Sequence, residues 1–349
     1  MRILSTTTIC LILSSCLAGS SAVPTLERRQ TGCDSALWNR VKGAIMEQFG
    51  SRPCSPLGRA AIRLYFHDAG TYDTKDDTGG PNGSVMRFDS EANQPQNNHL
   101  RDVILALRTV YDRFSGQVSR ADIINLAGLL GTQSCPGGAS IPFFIGRKDS
   151  TTPDDASRLP GDTEPMDNII SKFQRQGLTN KQLAALIGAH TTGKRFSSPP
   201  SEPVNGNAGL AFDSTPEVWD LNYYNETLQQ PTSPPLGQTR IQVDVAISRD
   251  PRTKNEFARY VTDFDGWTKD FTEAMVVMGK FGRANANLIK CDGVVPAAIP
   301  LPGGNPTPGN NGLGNGNGGG NGNGNGNGNG KGIGGTGGVA LALPASGTF

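Results

Sequence analysis

The sequence predicts a mainly α-helical fold, and three observations carry that reading. Apolar residues recur at three- and four-residue spacing in one window after another, the repeat that puts them on one helix face. Strand-like alternation is scarce. Two of the three histidines, His67 and His190, fall inside helical frames.

The elements follow in order. Cys33–Phe49 sets Leu37, Val41, Ile45 and Phe49 at helical spacing, with Gly50 as a stop. Pro56 opens the next helix, which carries Arg63 and His67. Thr71–Asn98 is rich in Gly, Asp and Asn and reads as an irregular loop. Helices are expected at Leu100–Phe114, at Arg120–Leu130 after Ser119, at Met166–Gln176 and at Asn180–Ile187, the last delivering His190 near its end. Phe212–Leu228, Pro251–Val261 and Thr268–Gly279 complete the helical domain.

The ends differ from the middle. Residues 1–29 read as a signal peptide and short propeptide: Arg2, an apolar run through Leu13, small residues at Ser20-Ser21-Ala22, then the dibasic Arg28-Arg29. Residues 30–302 form the domain. Residues 303–349 are an Asn/Gly-rich tail that cannot bury a core, and its apolar end is very short for a lipid-anchor signal. No later apolar run is long enough for a membrane span. Net charge is +1, and no basic stripe suggests nucleic acid. Once the leader is removed, Cys33, Cys54, Cys135 and Cys291 remain. In an exported chain they read as two disulfides with three pairings open, and Asn225 is a candidate glycan acceptor.

Arg63 and His67, four apart, share a helix face. An imidazole moves a proton while a fixed cation stabilises charge developing beside it. Two helices that each bring a histidine could enclose a haem, since haem iron takes a proximal histidine in globins and peroxidases. A distal pocket with both Arg63 and His67 is equipped to break a peroxide bond heterolytically.

An ordered set of motifs narrows this further. It comprises Arg63-x-x-x-His67-Asp68, Gly80-Pro-Asn82-Gly-Ser84, Glu91 six residues before Asn97, Ser119-Arg-Ala-Asp122, Cys135-Pro-Gly-Gly, Pro142-Phe-Phe-Ile-Gly146-Arg147, Gly188-Ala-His190-Thr191, Phe212-Asp213-Ser-Thr215-Pro-Glu-Val218-Trp-Asp220, and Asp244 through Arg249-Asp-Pro-Arg-Thr253. The chain resembles the plant/fungal/bacterial haem peroxidase superfamily over Cys33–Pro302, and most its secreted fungal class II (ligninase-like) branch.

The resemblance implies a two-lobed helical fold with one haem b between distal and proximal helices. It makes His190 the axial ligand and Asp244 the acceptor of its other ring proton. His67 takes the proton of hydrogen peroxide, Arg63 stabilises the charge, Asn97 orients His67, and Glu91 holds Asn97. Phe66 and Phe212 border the cofactor, and His99 is packing or surface. Asp213, Thr215, Asp220, the Val218 carbonyl and Thr191 match a proximal calcium site. Asp68, Gly80, Asn82 and Ser84 lie where a second calcium is held, with Asn82 in place of an aspartate. The cysteines pair as Cys54–Cys135 and Cys33–Cys291.

Departures from the branch matter as well. Residues 70–83 resemble the intracellular class I enzymes, ascorbate and cytochrome c peroxidases, yet Phe66 and Phe212 stand where those have tryptophan. The manganese positions are Pro56, Ala60 and Phe196, and Ala185 occupies the place of a surface tryptophan. Trp38 and Trp219 read as core, and Trp267 is the remaining tryptophan to weigh as a surface radical site. These features imply a secreted monomeric peroxidase that oxidises small phenolic or aromatic donors at the haem edge, without nucleic-acid or membrane partners. The alternative is a non-catalytic wall-associated protein with a degenerate peroxidase fold, against which the intact Arg63, His67, His190 and Asp244 speak.

Overall fold

The structure, a computed structural model, describes residues 32–196 and 209–304. Residues 1–31, where a signal peptide is expected, residues 197–208 and the tail beyond residue 304 lie outside the described residues. The first lobe contains α1 (Ser35–Phe49), α2 (Pro56–Ala69), α3 (Ser84–Arg87), α4 (Asp89–Ala92), α5 (Arg101–Phe114) and α6 (Arg120–Gln133). After the short strand β1 (Phe144–Ile145) come α7 (Met166–Arg175) and α8 (Asn180–Leu186), then strands β2 (Lys194–Arg195) and β3 (Leu210–Ala211). The second lobe continues with α9 (Asn222–Gln229), α10 (Gln242–Ile247), α11 (Lys254–Arg259), α12 (Phe264–Met278) and β4 (Ile289–Lys290). The strands make two antiparallel ribbons, with Phe144 opposite Lys290 and Lys194 opposite Ala211.

Helix α2 begins where its sequence says it should. The Ser55 hydroxyl accepts from Gly58 N and Pro56 sits in the first turn, where a missing N–H goes unneeded. Helix α2 packs on α6, which is buried along almost its whole length. The crossing is close because Gly131 has no side chain: a Cβ there would lie 2.2 Å from the Gly58 carbonyl oxygen. In the second lobe α8 packs against α11 and α12. The cores of both lobes are continuous, with Trp38, Trp219 and Trp267 all fully buried. Trp267 is therefore a core residue and not the surface radical site that the sequence left open. The disulfides join Cys33 to Cys291 and Cys54 to Cys135, as the family positions imply.

Several expected elements differ. The loop at 71–98 contains α3, α4 and a 3₁₀ turn at Pro95–Asn97. The expected helix from Phe212 forms only at Asn222, because Asp213 and Asp220 turn back on the chain. Thr215 N donates to Asp213 Oδ1 and Asn222 N to Asp220 Oδ1, so side chains replace the first helical bonds. Helix α11 starts at Lys254 after three turn residues, and α12 starts earlier, at Phe264, where Asp263 caps Gly266 N. Helix α10, which carries Asp244, was not expected; at six residues it is too short to show a period.

Candidate functional site

A cleft between the lobes has α2 on one wall and the His190 segment on the other. It encloses about 840 Å³, its open mouth included. Ile62, Ile169, Leu183, Leu186, Val243 and Met275 make it largely apolar, with Arg63, His67, Asp162, His190 and Asp244 as its polar side chains. Helix α8 ends at Leu186 and tightens into a 3₁₀ stretch, Ile187–Thr192, so His190 sits beyond the helix rather than within it. Tyr224 Oη and Trp267 Nε1 both donate to the Ala185 carbonyl and brace this change. Ala185 itself is fully buried.

On the distal wall one hydrogen-bond chain fixes a tautomer. Asn97 Nδ2 donates to the Glu91 carbonyl oxygen at 2.8 Å, which turns Asn97 Oδ1 toward His67 Nδ1, 2.8 Å away. Nδ1 must then carry the proton, and Nε2 is an acceptor that receives Arg63 Nε–H at 3.1 Å. Burial, then the Arg63 charge, holds the His67 imidazole well below its usual range. His67 is therefore neutral, with its basic nitrogen beside a cation. The remaining Arg63 nitrogens donate to the carbonyls of Asn98 and Gln96, which anchor the guanidinium. Burial lowers it to about 9, still charged at neutral pH. Glu91 holds Asn97 through its backbone carbonyl; its carboxylate instead accepts from Asp154 N.

On the proximal wall His190 Nδ1 lies 2.6 Å from Asp244 Oδ2, within reach for its proton. That proton on Nδ1 puts the lone pair on Nε2. The buried Tyr223 hydroxyl also donates to Asp244 Oδ2 and lies 3.3 Å from His190 Nδ1. Phe212 tilts against the imidazole at 5.4 Å between centroids. Phe66 lines the distal side and stacks on Phe173.

The predicted cation ligands also gather. Thr191 Oγ1 lies 2.6 Å from Asp213 Oδ2, 3.4 Å from Asp220 Oδ1 and 3.5 Å from the Val218 oxygen, while Thr215 Oγ1 donates to Asp220 Oδ2 at 2.9 Å. Burial and the Asp220 charge push the Asp213 carboxyl well up, and burial raises Asp220 to about 6. Two crowded carboxylates with hydroxyl and carbonyl oxygens form a hard-oxygen donor set. Among the described residues no three His, Cys, Asp or Glu side chains cluster as a metal site, so such a cation would rely on those neutral oxygens.

The distal set is wired to itself. Asp68 Oδ1 accepts from Gly83 N, Gly80 N donates to Thr71 Oγ1, and Asn82 Oδ1 accepts from Ser84 N. Asn82 Nδ2 and Thr71 Oγ1 both donate to Asp154. Asn82 thus serves as a hydrogen-bond donor, which an aspartate at this position could not do.

A second cleft is lined by residues that include Pro56, Ala60 and Phe196, the cations Arg59 and Lys194, and one carboxylate, Asp102, with His99 beside them. Arg59 and Ala60 precede Arg63 on α2, and Lys194 follows His190, so two cations mark this side. His99 tilts against Phe196 with 5.4 Å between ring centroids, in keeping with a packing role. Sequence reasoning missed Tyr223 and Asp154, because neither residue type nor spacing announces a partner that only folding brings near.

Comparison with known proteins matches the family described as Peroxidase over residues 39–263. A manganese peroxidase 3 of Phlebia radiata is 30% identical over 285 residues, 75% of this chain and 77% of its own. A cytosolic L-ascorbate peroxidase 2 of Arabidopsis thaliana is 32% identical over 246 residues, 70% of this chain and 90% of its own. A versatile peroxidase VPS1 of Pleurotus eryngii is 28% identical over 268 residues, 71% of this chain and 70% of its own.

Proposed function

The chain belongs to the peroxidase family, and we propose that it is a secreted haem enzyme that uses hydrogen peroxide to oxidise small phenolic or aromatic donors by one-electron steps. The observation that carries this reading is the neutral, tautomer-fixed His67 facing His190 across an apolar cleft. The residues fit a haem b. His190 Nε2 would ligate its iron, and Phe66 and Phe212 would border the ring. When bound, the haem supplies the two electrons that cleave the peroxide bond and the means to recover them singly from donors.

The protein's own part is proton movement and charge stabilisation. His67 Nε2 takes a proton from the incoming peroxide, and Asn97 keeps the opposite nitrogen occupied so that no other site competes. Proton transfer makes His67 cationic at Nε2, and the same atom returns the proton to the departing oxygen as water forms. Arg63, held at three points, stabilises the negative charge that builds on that oxygen. Asp244 fixes the orientation of His190 and raises its basicity. The apolar walls exclude bulk water, which keeps the Arg63 charge effective.

The Thr191, Asp213, Thr215, Val218 and Asp220 oxygens support one calcium adjoining His190. The distal quartet of Asp68, Gly80, Asn82 and Ser84 is the weaker candidate for a second, since Asn82 has lost a charge. Two disulfides support an exported protein, and the chain is read as a monomer. Pro56, Ala60 and Phe196 offer manganese no carboxylate, and among the described residues Asp102 is the single carboxylate lining their cleft, which favours organic donors. A Soret spectrum, a peroxide titration and a donor panel of a phenol, ascorbate, manganese(II) and a non-phenolic aromatic test this reading. A protein that binds haem and ignores peroxide would sink it.

A further inference from the structure

His190 does not have Asp244 to itself. The Tyr223 hydroxyl donates to the same oxygen, Asp244 Oδ2, that lies 2.6 Å from His190 Nδ1. Tyr223 is 1% exposed and Asp244 2%, so no water competes at this contact. The tyrosine ring is set edge-on to the His190 imidazole at 5.6 Å and packs against Tyr224 and Phe257. Its neighbour Tyr224 has other business: its hydroxyl donates to the Ala184 and Ala185 carbonyls. Phenylalanine would fill the same space as Tyr223, and burying a hydroxyl is unfavourable unless it finds a partner. Its partner is the group that sets the charge on the imidazole.

We propose that Tyr223 is a positioning residue that weakens the pull of Asp244 on the His190 proton and so sets the electron-donating strength of the iron ligand. This rests on His190 being that ligand. A carboxylate partner makes a ligating imidazole more basic. The charge on one carboxylate oxygen is shared between the donors it accepts, and donors to a charged oxygen bind it strongly. Each increment of charge that Tyr223 draws is lost to His190. A less anionic imidazole stabilises ferric iron less, and axial-ligand hydrogen bonding is one of the levers by which a protein sets haem potential.

The test uses haem-loaded protein with two readouts, the Fe–His stretching band of the ferrous form and the ferric/ferrous midpoint potential. Tyr223→Phe is expected to move the band to higher frequency and the potential to more negative values than wild type. Tyr223→3-fluorotyrosine, whose more acidic phenol is a stronger donor, is expected to move both the other way. A packing role alone would not produce opposite shifts from these two changes. If Tyr223→Phe fails to load haem, the fluorinated variant decides alone. A band and potential unchanged in the variants, or both variants shifting in one direction, would overturn the proposal. A wild-type protein lacking an Fe–His band would instead remove His190 as ligand, and this proposal with it.

Discussion

His67 can act as the proposed base only while neutral, and its surroundings keep it so. Burial and Arg63 depress its protonation, and Asn97, facing Nδ1, leaves Nε2 as the acceptor nitrogen. The folded state therefore binds fewer protons here than the unfolded chain just below the ordinary imidazole value near 6.5. Stability from this group is complete above that value and declines as pH falls below it. The rate of reaction with peroxide should follow the same sign, staying level as pH drops through 6.5 and falling only in more acid solution. Stopped-flow rates across a pH series check this; a midpoint at 6.5 would contradict the buried, Arg63-facing geometry. His67→Leu should keep haem but slow that reaction by roughly 10²–10⁴, the usual share of general acid–base catalysis. Normal peroxide kinetics in this variant would refute the assignment. That Arg63, His67, His190 and Asp244 belong together was legible in the sequence because their types and order form motifs, and the fold brings them to one cleft. The partner of Asn97 was legible as Glu91 but not as its backbone carbonyl, since a residue letter does not say which of its oxygens folding will present.

The turn that carries His190 is held more tightly than its sequence suggests. Gly188 lies under Tyr224 and Trp267, where a Cβ would sit 2.4 Å from Tyr224 Oη and 2.5 Å from Trp267 Nε1. Both atoms are anchored to α8 carbonyls, so neither can yield cheaply. Gly188→Ala should destabilise the protein by about 1–3 kcal/mol, the range for overpacked cores. It should also perturb the Soret band, because the shift falls two residues from His190. A denaturation curve and an absorption spectrum matching wild type would show that the segment relaxes freely. Long helices such as α1, α5 and α6 were legible because burial on one face or all round leaves a pattern across many residues. The segment from Phe212 was misjudged as helix because Asp213 and Asp220 cap their own turns, a choice local periodicity does not record.

The lobes are tied at buried Arg147. It donates to Asp122 on α6 at 2.7 Å and, through Nε, to the Gly279 carbonyl just beyond α12 at 2.8 Å. Asp122→Ala leaves that guanidinium buried without its counter-charge and should cost roughly 3–5 kcal/mol, read as a lower urea midpoint. A loss below 1 kcal/mol would mean that water reaches the site. Calcium removal is expected to act at the same scale. A cation held by Asp213 and Asp220 stabilises only the folded state, by about 2.7 kcal/mol at a hundredfold excess over Kd. Chelation, with metal analysis to confirm it, should lower Tm and loosen the haem; an unchanged Tm would remove the site. For donors, simple phenols should turn over well and manganese(II) poorly, and saturable manganese oxidation at micromolar concentration would overturn that. The sequence by itself determined the helical class, the order of the motifs, the family and the residue types that meet at the cleft, because these are written in local spacing and chain order. Only the tertiary structure decided which tautomer His67 holds, that Tyr223 shares Asp244, that Asn82 turns to Asp154, and that Trp267 is core. Those outcomes depend on which atoms meet across long chain separations, where burial removes water and leaves each polar group only the partners that packing supplies.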